Sequence, residues 1–124
     1  MHKSRLGVLV IDCETGDLKE AATFWSAALG YGPGKLDEDG KYWELEGPPD
    51  QIRVLLQCVE HEPRVHLDIE SNDRAAEVER LTALGAEPVA EIKGWTVLQA
   101  PSGHRFCVVK PQRPDLEERG NAWD

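Results

Sequence analysis

Three things are scarce in this sequence of 124 residues: cysteine, positive charge and long apolar runs. Cys13, Cys58 and Cys107 are an odd set, widely separated and without a Cys-x-x-Cys pair, so neither a disulfide framework nor a cysteine zinc cluster is indicated. Reduced thiols in a cytoplasmic protein are the simple expectation. The 14 basic residues are outnumbered by 23 acidic ones, and the net charge of -9 repels phosphate backbones and anionic membrane surfaces alike. Nucleic acid and membrane drop out as partners, and a cationic ligand is tolerated. The apolar run from Leu6 to Ile11 is too short for a membrane span or a secretory signal. A chain of this length is expected to hold one core.

What is present is one unit written twice. Ala28-Leu29-Gly30 returns as Ala83-Leu84-Gly85, Asp12 and Asp17 return as Asp68 and Asp73, and Pro48 returns as Pro101, each about 55 residues later. The first copy opens with a β-branched strand, Leu6 to Cys13. Asp17 stands at an N-cap position with Glu20 three residues on, and Leu18, Ala22, Trp25 and Leu29 follow at helical spacing until Gly30. Strands flank the Asp39-Gly40 turn, Lys41 to Glu46 being the better defined, and Ile52 to Cys58 is a further strand. The second copy has a strand from Arg64 to Glu70, a helix capped by Asp73 with Val78, Leu81 and Leu84 inward, and strands at Pro88–Ile92, Trp95–Ala100 and His104–Lys110. The order is βαβββ in each copy, about residues 5–60 and 62–110 of a single domain ending near residue 110. Residues 111–124 change composition to Pro, Arg, Glu and Asn and read as a flexible C-terminal tail, with Leu116 and Trp123 as anchors on a partner subunit if it is ordered.

The stretch Asp17–Gly30 with Phe24-Trp25 before Leu29-Gly30, the strand Arg64-Val65-His66-Leu67-Asp68-Ile69, and Trp95 through Pro101-Ser102-Gly103 to Phe106-Cys107-Val108-Val109 resemble the vicinal oxygen chelate superfamily, the glyoxalase/bleomycin resistance/dioxygenase fold. The resemblance spans residues 5–110, and within the superfamily it is to the small glyoxalase-like domains. It implies an α+β fold in which two βαβββ modules form a curved, incomplete, barrel-like mixed sheet with helices on the outer face. It also implies a homodimer, because relatives cover their open sheet edges by pairing two chains. Lyases, isomerases, dioxygenases, thiol transferases and binding proteins all use this fold, so function has to be read from the groove residues.

Strand alternation enumerates that groove. Val65, Leu67 and Ile69 are expected against the helices, which turns Arg64, His66 and Asp68 to the groove, with Val8, Val10 and Asp12 on the matching face of the first strand. Arg53, Leu55 and Gln57 join them from the fourth strand, and Arg105, Cys107 and Val109 from the last, where Phe106 and Val108 pack inward. The positions at which metal-dependent relatives carry His or Glu ligands resemble Val8, Leu55, Arg64 and Cys107, and only the last of these can ligate. No metal or other cofactor is expected, the one remaining option being a shifted set of His66, Asp68 and Cys107.

His66 is the candidate general base or hydrogen-bonding anchor, and Asp68 the group that fixes its tautomer or pairs with Arg64. Arg64, Arg53 and Arg105 are candidate carboxylate-binding residues, or partners for neighbouring acids. Tyr42 and Trp95 are candidate aromatic walls beside Gln57, although alternation alone leaves open which of Tyr42 and Trp43 faces the groove. Cys107 is a ligand-binding candidate, and His2, His61 and His104 receive no role. Two readings follow: metal-free binding of a small aromatic or cationic molecule in a dimer groove, or a lyase or isomerase on a small oxygenated substrate with His66 as base.

Overall fold

The computed structural model describes residues 1–124 and shows a mixed α+β chain of nine strands and three helices. In order these are β1 (His2–Glu14), α1 (Lys19–Leu29), β2 (Gly32–Leu36), β3 (Tyr42–Glu46), β4 (Val54–Val59), β5 (Arg64–Ser71), α2 (Arg74–Ala83), β6 (Glu87–Ile92), β7 (Trp95–Gln99), β8 (Arg105–Val109), α3 (Leu116–Arg119) and β9 (Asn121–Trp123). The βαβββ order therefore occurs twice, as β1-α1-β2-β3-β4 and β5-α2-β6-β7-β8. The chain divides into two compact units, Val8–His66 and Met1–Gly7 with Leu67–Asp124.

In the unit Val8–His66 the strand order is β2-β3-β4-β1. β1 and β4 run parallel, with Leu9 opposite Val54 and Cys13 opposite Cys58. Leu18, Ala22, Tyr31, Leu45, Val54 and Leu56 form the core, and Trp25 and Trp43 pack against it. Trp43 is thus the inward member of its pair and Tyr42 the outward one. Asp17 does not cap α1 in the expected way. Its Oδ1 accepts from the Lys19 amide two residues on, at 2.9 Å, and Leu18 takes the N-cap position without a side-chain bond. Leu18 is thereby drawn into the core, whereas Leu29 is exposed. A Cβ on Gly47 would lie 2.5 Å from the Tyr31 ring, whose hydroxyl donates to the Ile52 carbonyl at 2.6 Å, so the turn after β3 requires glycine.

In the other unit the order is β5-β8-β7-β6, and Leu81, Ala86, Leu98 and Val108 form a core against which Ile69, Val78 and Phe106 pack. Asp73 caps α2 as the sequence predicts, its side chain accepting from the Ala76 amide at 3.0 Å. Three expected core residues are not in it. Leu84 ends α2 and is exposed, and on β5 Val65 and Leu67 are 53% and 43% exposed, leaving Ile69 as the one apolar residue of that row packed inward. Leu116 and Trp123 do act as anchors, and they do so on their own chain. β9 pairs antiparallel with the start of β1, His2 opposite Trp123, while the Trp123 indole donates to Ser4 Oγ at 2.8 Å and lies under the Arg80 guanidinium. Leu116 is buried. Two carboxylates, Glu70 and Glu77, are fully buried in this unit. Glu70 accepts from Arg5, Arg113 and the Gln112 amide, and Glu77 from Arg80 in a two-pronged pair, with the His2 ring 2.8 Å away.

Candidate functional site

Cross-strand register builds a polar row in the unit Val8–His66. Asp12 on β1 stands opposite Gln57 on β4, and Gln57 opposite Tyr42 on β3, so the three side chains emerge side by side. The Gln57 amide donates to the Tyr42 hydroxyl at 3.3 Å. At the other end of the row His66 Nδ1 lies 3.0 Å from Asp12 Oδ2. Asp12 is 3% exposed, and the His66 side chain 14%. A carboxylate only accepts, so the shared proton sits on Nδ1, and the neutral form of this ring carries its lone pair on Nε2. This is the arrangement in which a buried acid orients a histidine for proton transfer.

Two further basic groups converge on the same carboxylate oxygen. His61 Nε2 is 3.7 Å and Arg64 Nε 3.8 Å from Asp12 Oδ2, and Arg64 Nη2 is 3.2 Å from His61 Nε2. Both side chains are substantially exposed. The His61 ring donates from Nδ1 to the Glu62 carbonyl at 2.7 Å and accepts at Nε2 from Arg64, so it braces Arg64, and Arg64 is the exposed fixed cation beside the buried carboxylate. Arg53 is held by Glu44, donating through Nε and Nη2 at 3.1 and 2.7 Å, which is the role of neutralising a neighbouring acid.

In the other unit, register puts Asp68 of β5 directly opposite Cys107 of β8, and Trp95 of β7 opposite Val109. Arg105 donates to Gln99 at 2.9 Å. Arg53, Arg64 and Arg105 thus have separate partners: Glu44, the Asp12 cluster and Gln99. Along β5, His66 precedes Asp68 by two residues on the same strand face.

The inherited metal positions do not suit a metal. Val8 is buried and apolar, Leu55 has no donor atom, and Arg64 is a fixed cation.

Of the groups left without a role at the sequence level, His61 joins the cluster, His2 binds Glu77, and His104 contacts Ser102 at 2.8 Å. Sequence reasoning gave Asp12 no functional role. Alternation puts it on the groove face, as expected, but its contact with His66 is a tertiary one that spacing along the chain does not specify.

Paired βαβββ units with a histidine on the fifth strand facing a polar row define the class: a glyoxalase/bleomycin resistance/dioxygenase, or vicinal oxygen chelate, fold. The chain belongs to the glyoxalase-like domain family, whose family model matches residues 8–109. Among solved structures it is similar to methylmalonyl-CoA epimerase from Mycobacterium tuberculosis, at 20% identity over 90% of this chain and 90% of that one, with a TM-score of 0.58. A glyoxalase/bleomycin resistance protein/dioxygenase superfamily member from Vibrio splendidus 12B01 gives 18% identity over 90% and 100% of the chains and a TM-score of 0.57. The Mn(II)-bound glyoxalase from Novosphingobium aromaticivorans gives 16% identity over 89% and 40%, with a TM-score of 0.56. At these identities the likeness is one of fold. No curated protein matches. No helix is long and apolar enough to cross a membrane.

Proposed function

We propose that this chain binds a small oxygenated carboxylate beside the Asp12, His66 and Arg64 cluster and acts on it as a lyase or isomerase, with His66 Nε2 as general base. The observation that carries this reading is the 3.0 Å contact between buried Asp12 and His66 Nδ1. Arg64, largely exposed next to the base, supplies the cation for the substrate carboxylate, and Tyr42 and Gln57 line the approach. Because the exposed Arg64 guanidinium stands beside the base, an anionic ligand is favoured over the cationic one that net charge alone allows. The test is exchange of substrate α-protons in deuterated water, followed by proton NMR over a panel of short oxo- and hydroxy-acids. Exchange is expected to fall about 10²–10⁴-fold in His66→Ala. A ligand that binds without exchange, and binds His66→Ala nearly as well, would favour sequestration of a small molecule and overturn the catalytic role.

The same proposal includes a homodimer. Val65 and Leu67 occupy alternate positions of β5 and present apolar side chains to solvent, where strand residues of a finished surface are usually polar. A second copy covering that row is the simplest occupant for a symmetric contact.

A further inference from the structure

His61 and Arg64 stand at the accessible edge of the Asp12 cluster and hold each other. The His61 ring donates from Nδ1 to the Glu62 carbonyl at 2.7 Å, so in the neutral ring Nε2 keeps its lone pair and accepts from Arg64 Nη2 at 3.2 Å. One donor of the guanidinium is thereby taken up by the protein itself. The two side chains are 41% and 53% exposed, so this bond breaks without unpacking a core. A carboxylate placed against Arg64 meets the Nε2 lone pair, acceptor against acceptor, unless that nitrogen is protonated. Protonation removes the conflict and leaves an imidazolium and a guanidinium side by side, each with an N–H to donate. The charged groups that face His61 are Asp12 from β1, with Oδ2 at 3.7 Å from Nε2, and Arg64 from β5, while His66 shares the same Asp12 oxygen and Glu60 and Glu62 lie on the loop that carries the ring. Asp12 is 3% exposed and already accepts from His66, so it attracts both cations while their exposed surface stays open to solvent.

We propose that His61 and Arg64 form a proton-operated latch for carboxylates: the ligand carboxylate replaces His61 as the partner of Arg64, and His61 takes up one proton to become the second donor to that carboxylate. This rests on the reading of Arg64 as the cation for the substrate carboxylate and deepens it. One N–H bond forms at His61 Nε2, solvent supplies the proton and receives it again on release, and no electrons move. Linkage fixes the sign. A ligand that favours protonated His61 binds more tightly as pH falls through the histidine range, by up to about tenfold per pH unit for one coupled proton. His66 has to stay neutral to act as base, so the latch is read in binding and not in turnover.

The experiment is isothermal titration calorimetry with lactate at constant ionic strength, in buffers of different ionisation enthalpy, which counts the protons taken up per ligand bound. Wild type is expected to take up protons near neutral pH and to bind more tightly at lower pH. His61→Gln should abolish the uptake and flatten the pH dependence, Arg64→Gln should weaken lactate at least about tenfold, and His66→Gln should keep the uptake. Uptake that survives in His61→Gln and disappears in His66→Gln would overturn the proposal and assign the proton to the base. Lactate binding with no proton uptake would overturn the latch and leave Arg64 and the base as described. Failure of lactate and of other short carboxylates to bind at all would overturn the carboxylate reading together with the latch. Nitrogen-15 NMR of the wild type needs no variant: lactate should move the His61 Nε2 resonance from its unprotonated to its protonated position at a pH where the free ring is neutral, and an unmoved resonance in the saturated complex would contradict the proposal.

Discussion

Single charged residues in this protein are fixed by what surrounds them. Asp12 is buried with three basic neighbours, and the one in hydrogen-bond contact is His66. Asp12→Asn keeps the shape but removes the acceptor charge, so α-proton exchange should fall at least about 10²-fold in kcat with KM little altered. Steady-state kinetics of the variant, read beside its melting temperature, separate this positioning role from a loss of folding. Glu77 shows the structural counterpart. Burial would raise its carboxyl, but hydrogen bonds from Arg80, His2 and Ser4 outweigh that and lower it from the ordinary 4.5 to about 2. Stability from this group is complete above pH 4.5 and is lost as pH falls toward 2, amounting to about 3 kcal/mol. Urea unfolding of wild type should therefore weaken more steeply with acid over that range than unfolding of Glu77→Gln, and parallel curves would contradict the assignment.

At the scale of elements, the C-terminal tail is the clearest case of structure made by tertiary contact. α3 and β9 are too short to persist alone, yet Leu116 is buried and β9 pairs with the start of β1. Trp123→Ala removes the Arg80 stack and the bond to Ser4, and should cost about 2 kcal/mol in thermal or denaturant unfolding. An unchanged midpoint would show that the tail contributes nothing to stability. The helices and strands of both βαβββ copies were legible because their signals are local: alternation in β5, the Asp73 cap, and glycines such as Gly30 after α1, where φ is 71°. The tail was not, because its anchors are meaningful only opposite His2 and Ser4. The same reason explains Val65 and Leu67. Alternation identifies two faces of β5 but does not say that Val65 and Leu67 on its apolar face stay exposed. His66 was legible as a candidate from that alternation, whereas its pairing with Asp12, and the Asp12, Gln57 and Tyr42 row, depend on strand register.

For the whole molecule, the account predicts two copies that bury the Val65 and Leu67 row. Light scattering should give twice 13.8 kDa, and Leu67→Lys should shift the mass toward one chain while leaving far-ultraviolet circular dichroism unchanged. A wild-type mass of 13.8 kDa would remove the dimer and leave the family assignment intact. The functional proposal rests on the state of one ring, and nitrogen-15 NMR of the imidazole side chains reads it directly. The account predicts that neutral His66 carries its proton on Nδ1 in the wild type and loses that preference in Asp12→Asn. A wild-type ring protonated on Nε2 would contradict it, because no lone pair would then be available at Nε2 to accept a substrate proton.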